Sequence, residues 1–101
     1  MRILVMFDLP VETASQRSEY RKFRKYLIKQ GFLMLQESNY CKMVPNSSAG
    51  DGVIASLRAH RPPEGSVQIL KVTEKQFSKM EYLVGQAKSN VINDDRRLVI
   101  L

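Results

Sequence analysis

The sequence predicts a small α+β domain whose elements follow the order β-α-β-β-α-β. Three observations support this prediction. The chain opens on an unbroken apolar run from Ile3 to Phe7 that leads into Asp8, which is typical of a strand buried on both faces. A segment with apolar residues at helical spacing follows it, and further short apolar runs are separated by turn residues. The 101 residues are enough for one domain, and 44% of them are hydrophobic, which is enough to build a core.

The first helix is predicted over residues 16–30, with Ser15 as its N-cap and Gly31 in the C′ position. Tyr20, Phe23 and Leu27 follow i, i+3, i+7 spacing and form one apolar stripe. The stripe predicts that this helix packs against the sheet.

The remaining elements are predicted from shorter patterns. A reversal or bulge at Gln36 and Glu37 separates the second strand from the third, and polar residues precede a final apolar strand made of Leu98, Val99, Ile100 and Leu101. In chain order we predict a strand over residues 2–8, the helix over 16–30, strands over 32–35 and 38–44, a loop over 45–52, a helix over 52–60, a strand over 67–73, a helical turn over 74–80, a loop over 86–97 and a strand over 98–101.

This order predicts a ferredoxin-like arrangement, in which a four-stranded antiparallel sheet carries both helices on one face. The other face is then open, yet the first strand has large apolar residues on both sides. We therefore expect a homodimer that packs sheet face against sheet face. Residues 1–80 would form the core, and residues 81–101 a loop and a C-terminal strand that reaches a dimer or other partner.

Composition indicates a polyanionic partner. Sixteen basic residues against ten acidic ones give a net charge of +6. No apolar run approaches the roughly 20 residues of a membrane helix. The N-terminus does not resemble a secretory signal, and the lone Cys41 fits a reducing compartment. We expect a cytoplasmic protein with no membrane partner, in which Cys41 is a core residue and His60 a favourable residue at a helix C-terminus.

The predicted first helix carries most of the positive charge. Its six basic residues against Glu19 give +5 of the chain's +6. Such a face suits phosphate contacts rather than base reading, and an ordinary solvated helix face is the alternative. The candidate nucleic-acid-binding residues are Arg17, Arg21, Lys22, Lys25 and Lys29.

Asp8 is the candidate catalytic and metal-binding residue, because a strand end fixes its direction while its carboxylate reaches solvent. Mg²⁺ is usually held by one or two carboxylates together with water and phosphate oxygens. A twofold axis near the end of the first strand would bring two Asp8 side chains together around Mg²⁺ or Mn²⁺. The alternative is that Asp8 accepts hydrogen bonds from loop amides around residues 11–13.

Four stretches together resemble a known family: residues 4–10, residues 20–28 with Gly31 and Phe32, residues 38–40, and residues 72–77. In this order and at this length they resemble the CRISPR-associated protein two (Cas-two) family, the small partner of the spacer integrase in bacterial adaptive immunity. Residues 72–77 are similar to the variant found beside single-effector (type II) nucleases. Glu37 and Asn39 depart from the family pattern, in which an aromatic and an aliphatic residue are common.

The resemblance implies a ferredoxin-like homodimer with Asp8 at a metal site between the two copies. It also implies metal-dependent endonuclease activity on RNA or DNA in some members, and a scaffold role in which one dimer bridges two integrase dimers and holds foreign duplex DNA. The expected partners are a second copy, the integrase, and double-stranded DNA or RNA. Residues 98–101 are the candidate contact with a partner.

Three functional hypotheses remain open from the sequence. The leading one is a scaffold for spacer integration, with or without endonuclease activity. The second is a stand-alone, toxin-like metal-dependent endoribonuclease or endodeoxyribonuclease. The third is a small-molecule-binding regulator of the same fold, which the basic helix and the lack of a glycine-rich ligand loop disfavour.

Overall fold

A computed structural model describes residues 1–85, which form one four-stranded sheet and three helices. The sheet order is β2-β3-β1-β4, and every neighbouring pair is antiparallel. This topology confirms the predicted ferredoxin-like α+β fold. The elements are β1 (Arg2–Asp8), α1 (Ala14–Lys29), β2 (Leu33–Gln36), β3 (Asn39–Met43), α2 (Ser47–Ala59), β4 (Ser66–Val72) and α3 (Glu74–Ser78).

The central strand β1 divides the molecule into a helix-covered face and an open face. Ile3, Val5 and Phe7 point to one side and are buried against α1 and α2. Leu4 and Met6 point to the other side and are half-buried. The predicted two-sided apolar character of this strand is therefore confirmed, but residues 1–85 cover its two sides unequally.

Aromatic rings join α1 to the sheet. The Phe7 ring lies 5.3 Å from that of Phe23 in an edge arrangement and 5.8 Å from that of Tyr40 in a stacked one. Phe23 and Leu27 are buried, and Tyr20 is partly buried against the same cluster. The predicted apolar stripe of α1 is confirmed.

The helix α1 begins at Ala14 with Thr13 as its N-cap, so the prediction of Ser15 was wrong. The Thr13 hydroxyl accepts a hydrogen bond from the Gln16 amide at 3.0 Å, and the Gln16 side-chain oxygen accepts one from the Thr13 amide at 2.9 Å. This capping box satisfies two otherwise unpaired amides. At the other end Gly31 has φ +92°, which confirms its C′ assignment.

The helix α2 begins five residues earlier than predicted, at Ser47. Asn46 caps it by accepting a hydrogen bond from the Ala49 amide at 2.8 Å. Gly50, which indicated a loop, lies inside the helix. It packs close to β1, since an added Cβ there would be 3.0 Å from Ile3 Cδ1. The absence of a side chain lets α2 lie close to β1.

The remaining boundaries shift by one or two residues. Ser38 has φ +69° and belongs to the turn, so β3 begins at Asn39 rather than at Ser38. The predicted irregularity is confirmed as a register shift between Met34 and Gln36. β4 ends at Val72 rather than at Thr73, because Thr73 is the N-cap of α3.

The predicted loop over residues 86–97 and the predicted strand over residues 98–101 lie outside the described residues. Within residues 1–85, the helices are too short and too polar to cross a bilayer.

Candidate nucleic-acid interface and carboxylate site

A row of cations runs along the outer side of α1. Arg17, Arg21, Lys25 and Lys29 are four residues apart and all are exposed. Since residues four apart lie on one helix face, they form a single ridge about 18 Å long at 1.5 Å of rise per residue. We call these four residues the α1 ridge. Lys22 and Arg24, also exposed, flank it on its two sides.

Two of these cations also make contacts within the chain. Arg17 Nη1 donates to the carbonyl oxygens of Glu12 at 3.0 Å and Val11 at 3.2 Å, so Arg17 also holds the loop before α1. Arg24 Nε donates to the Tyr40 hydroxyl at 3.0 Å. Among residues 1–85, no ion pair involves α1; side-chain pairs join Lys71 to Asp51 and Arg2 to Glu74.

The α1 ridge is unfavourable for helix stability. Like charges at i, i+4 destabilise a helix by roughly 0.2–0.5 kcal/mol per pair. The ridge contains three such successive pairs, and no carboxylate of residues 1–85 neutralises them. Arg17 bonds to the loop and Lys29 lies in the last turn of the helix, where a cation is favourable. The stability of the fold does not explain the rest of the charge pattern, which suits a surface that meets an anionic partner.

Asp8 lies at the end of β1, opposite Ser66 of β4, and its side chain is exposed. The loop-cap alternative for Asp8 was wrong for the amides of Glu12 and Thr13, since both donate to the Gln16 side-chain oxygen at 2.9 Å. Within residues 1–85 the Asp8 carboxylate forms no hydrogen bond or ion pair. It is thus directed by the strand and open to solvent.

Gly65 holds the backbone at Asp8 in place. It has φ +95°, and a Cβ there would lie 2.8 Å from the Asp8 carbonyl oxygen and 2.7 Å from Leu9 Cδ2. Only a glycine combines this backbone angle with so close an approach. Gly65 therefore fixes where β1 ends and where the Asp8 side chain starts.

A single copy of the described chain has too few ligands at Asp8 for a protein-only metal site. Residues 1–85 contain no group of three or more His, Cys, Asp or Glu side chains placed to hold a metal ion. One hard carboxylate oxygen donor does match the way Mg²⁺ is commonly bound, by one or two carboxylates with water and phosphate oxygens. The donor set fits Mg²⁺ if a second Asp8 and a nucleic-acid phosphate complete it.

The open sheet face is largely apolar. The register places Leu33, Cys41, Leu4 and Leu70 side by side across all four strands. Leu33 and Leu70 are exposed, as is Met43 nearer the start of β1. Residues 80–84 border a cavity of about 400 Å³ above Leu4 and Met6. Much of this face therefore remains uncovered by residues 1–85.

At one end of the open face Arg2 of β1 contacts Glu74 and Phe77 of α3, and we call these three residues the Arg2 clasp. Arg2 Nε donates to both Glu74 carboxylate oxygens at 3.0 Å, and the guanidinium carbon lies 4.1 Å from the Phe77 ring centroid. Arg2 Nη1 lies 3.8 Å from Cys41 Sγ. Sequence reasoning missed this Arg2 clasp, although Arg2 does share the open face with Leu4 by strand alternation.

Cys41 is buried beneath the Arg2 clasp, which confirms its assignment as a core residue. Burial raises the pKa of the Cys41 thiol, although the hydrogen bond and the charge of Arg2 act in the opposite direction. Cys41 is therefore a neutral thiol rather than a nucleophile.

His60 is the C-cap of α2, as its predicted place at the helix end required. Its Nδ1 lies 2.9 Å from the Ser56 carbonyl oxygen. The candidate partner-binding residues Leu98, Val99, Ile100 and Leu101 lie outside the described residues.

Of the predicted site residues, the structure brings together the α1 cations on one helix face, and it places Asp8 at the end of the sheet.

Comparison with known proteins identifies the family. The family model described as CRISPR associated protein Cas2 matches residues 1–80. The chain belongs to the Cas2 family. Proteins named CRISPR-associated endoribonuclease Cas2 are similar over its whole length: that of Treponema denticola is 50% identical with both chains fully covered, and that of Streptococcus mutans UA159 is 48% identical with 93% of that protein covered.

A solved structure supports the Cas2 fold assignment. The crystal structure of Streptococcus pyogenes Cas2 at pH 6.5 superposes with a TM-score of 0.59 at 20% identity, covering 83% of this chain and all of the other. At this identity the likeness shows the fold alone. The resemblance predicted from residues 4–77 is thereby confirmed at the level of family and fold.

Proposed function

We propose that this Cas2 protein serves CRISPR adaptation as a dimeric scaffold that holds foreign duplex DNA for the spacer integrase. The α1 ridge is the observation that supports this proposal. Four exposed cations on one line, with Lys22 beside them, suit contacts to successive phosphates. Because such contacts do not read bases, the protein would accept DNA of any sequence.

The open sheet face supports the dimeric part of the proposal. A second copy that packs on Leu4, Leu33 and Leu70 would bury the apolar surface that residues 1–85 leave exposed. An isologous twofold contact would also bring two Asp8 side chains and two α1 ridges into one particle. Two ridges offer a longer basic surface to a duplex than one.

Leu70→Asp tests the dimer. We expect it to lower the mass measured by light scattering to that of one chain, because a charge in an apolar interface is costly. Ile28→Asp is the matched control, since Ile28 is 49% exposed and Leu70 51%, but Ile28 lies on α1. An unchanged mass for Leu70→Asp would exclude the open face as the contact.

The salt dependence of duplex binding tests the DNA-holding role. Each lost phosphate contact lowers the slope of log K against log salt by about 0.9 for duplex DNA. We expect Arg21→Glu, Lys25→Glu and Lys29→Glu together to lower the slope by about 3, whereas Lys79→Glu on the exposed end of α3 leaves it unchanged. If the triple variant keeps the wild-type slope, the α1 ridge does not bind DNA.

The integrase is the second proposed partner. We propose that residues 98–101 add to an edge strand of a partner, since apolar strands recruit sheet edges. Ile100→Asp should then abolish co-purification with the integrase, whereas Leu83→Asp on the exposed segment before it should not. Failure of the wild-type protein and the integrase to co-purify would contradict the scaffold proposal itself.

A second function, metal-dependent endonuclease, is favoured by Asp8 and by the names of the similar proteins. Those relatives are named endoribonucleases, and Asp8 is an exposed carboxylate at the end of the central strand. A bound Mg²⁺ or Mn²⁺ would supply Lewis-acid polarisation of a phosphate. The two Asp8 carboxylates of a dimer would hold it, while the α1 ridge positions the strand to be cut.

The Asp8→Asn variant separates the two functions. A scaffold that is not a nuclease keeps DNA binding and supports spacer integration with purified integrase. A nuclease loses RNA or DNA cleavage in this variant, and calorimetry shows weaker Mg²⁺ or Mn²⁺ binding. Equal metal binding by wild type and variant would remove Asp8 from the metal site.

A further inference from the structure

Two stacked rings, Tyr26 of α1 and His60 at the C-terminal end of α2, join the two helices. The His60 ring lies 4.3 Å from the Tyr26 ring at an interplanar angle of 16°. The Tyr26 hydroxyl hydrogen-bonds the Ser56 hydroxyl, and His60 Nδ1 lies 2.9 Å from the Ser56 carbonyl oxygen. These contacts fix both rings, so neither needs to lose much rotamer freedom when a ligand stacks on them.

The His60 side of this ring pair is exposed within residues 1–85. His60 is exposed even though Tyr26 covers one face of its ring, so the accessible area lies on the other face and the edges. A groove of about 190 Å³ runs beside the pair, between α1 and the loop that follows α2. A flat ligand can therefore approach an aromatic surface that is already in place.

Charged side chains flank the groove on both sides. Lys22 lines it from α1 and Arg61 from the loop, and Arg61 Nη1 donates to the Arg58 carbonyl oxygen at 3.1 Å. This bond holds the guanidinium at the end of α2. Among residues 1–85, Glu19 is the one acid in the lining, and a carboxylate suits the amino group of a base rather than a phosphate.

We infer that this groove binds one unpaired nucleotide of a nucleic-acid strand. The base stacks on the Tyr26–His60 pair, and the phosphates beside it contact Lys22 and Arg61. An aromatic platform set in a positively charged groove is the arrangement by which proteins hold single-stranded nucleic acid. Lys22 lies next to the α1 ridge, so a strand leaving a duplex on the ridge would enter the groove directly.

The inference rests on the proposed nucleic-acid role of the α1 ridge, but the two surfaces differ in what they recognise. The ridge meets phosphates of paired strands. The groove meets the face of a base, which a duplex hides except at its ends. The groove therefore predicts a preference for duplexes with unpaired ends over blunt ones.

The test compares a blunt duplex with the same duplex carrying a short unpaired 3′ or 5′ overhang. We expect the wild-type protein to bind one overhang form about fivefold or more tightly, since stacking on an aromatic side chain strengthens binding by at least that factor. His60→Ala should abolish the preference, and His60→Phe, which keeps a flat ring, should retain it. Tyr82→Ala is the matched control, because Tyr82 is an exposed aromatic outside the groove.

A fluorescent base adds a readout on the wild-type protein, which no folding defect of a variant affects. With 2-aminopurine in the overhang, stacking should quench its emission when the wild-type protein binds, and Arg61→Glu should weaken binding of this probe but not of the blunt duplex. Overhangs of deoxynucleotides and ribonucleotides then show which sugar the groove accepts. An unquenched probe, or equal affinity of the wild type for blunt and overhang duplexes, would overturn the inference.

Failure of the groove is distinguishable from failure of the α1 ridge. If the triple ridge variant keeps the wild-type salt slope while quenching persists in the wild type, the groove stands and the scaffold proposal falls. If the slope falls but the wild-type probe stays unquenched, the groove inference falls and the ridge stands.

Discussion

The two faces of the sheet differ in how much of their apolar surface residues 1–85 bury. On the helix face Ile3, Val5 and Phe7 meet α1 and α2 and are at most 6% exposed. On the open face Leu33, Leu70 and Met43 are 48%, 51% and 61% exposed. Within residues 1–85 this face is covered in part, by the Arg2 clasp at one end and by residues 80–84 above Leu4 and Met6. Within residues 1–85 the helix face is therefore a packed core, whereas the open face is a surface that suits a partner.

The greatest change in stability is expected when a leucine on the helix face is compared with one on the open face. Leu27 is fully buried between α1 and the sheet. Leu27→Ala should lower the free energy of unfolding by about 2–5 kcal/mol, because it leaves a cavity in a packed core. Leu70→Ala on the open face should cost less than about 1 kcal/mol in dilute protein. Urea denaturation measures both, and equal losses would mean that the open face is as well packed as the helix face.

Two separate glycine substitutions test how tightly the backbone packs at the end of β1, where Asp8 lies. Gly65→Ala should lower the free energy of unfolding by about 1–3 kcal/mol, because its Cβ would clash with the Asp8 carbonyl at a positive φ. Gly52→Ala is the control: nothing lies within 4 Å of an added Cβ there, and alanine favours a helix. It should raise stability by up to about 1 kcal/mol, so thermal melting should shift in opposite directions for the two variants.

The burial of Cys41 predicts a loss of stability at alkaline pH. Burial raises the pKa of the Cys41 thiol, so the unfolded chain gives up this proton at lower pH than the folded one. Stability should therefore fall as the pH rises past about 8.5, the pKa of an exposed cysteine, by at most about 1.4 kcal/mol per pH unit. Cys41→Ala should show a shallower fall, measured by denaturation between neutral and alkaline pH. The same slope for both proteins would contradict the prediction.

The smallest effect concerns the α1 ridge. Lys25→Glu replaces two like-charge i, i+4 pairs, with Arg21 and with Lys29, by two attractive ones. It should raise the free energy of unfolding by roughly 0.5 kcal/mol while weakening duplex binding. Lys25→Gln is the control that removes the charge without adding an acid. A variant that becomes less stable would show that the ridge supports the fold after all.

Local patterns predicted most of the fold. The limits of β1 followed from its unbroken apolar run, and the stripe on α1 followed from helical spacing. The Thr13 capping box was also readable, since Gln16 stands three residues after a threonine, yet the prediction chose Ser15. The early start of α2 was harder to predict, because Pro45, Ser47, Ser48 and Gly50 have loop-like composition. Helix prevails there because Gly50 packs against Ile3, a contact distant in sequence.

The candidate sites also contain features that local patterns predicted and features that they did not. The exposure of the α1 cations followed from the opposite apolar stripe. The use of Arg17 to hold a loop, the Arg2 clasp and the Tyr26–His60 pair did not, because each needs a partner whose position only the folded chain supplies. Arg2 and Glu74 are 72 residues apart in sequence, yet their side chains meet at 3.0 Å.

Reading the residues in order is enough to predict the order of strands and helices, the sign and place of the charge on α1, and the carboxylate at the end of β1. These depend on residue type and on periodicity, which are local. The folded chain was needed to show that α3 lies over Arg2 and Cys41, that the amides of Glu12 and Thr13 donate to Gln16 rather than to Asp8, and that a groove with a ring pair lies beside the α1 ridge. Each of those depends on which distant groups fill the space and hydrogen-bonding capacity around a residue, and a one-dimensional pattern does not contain that geometry.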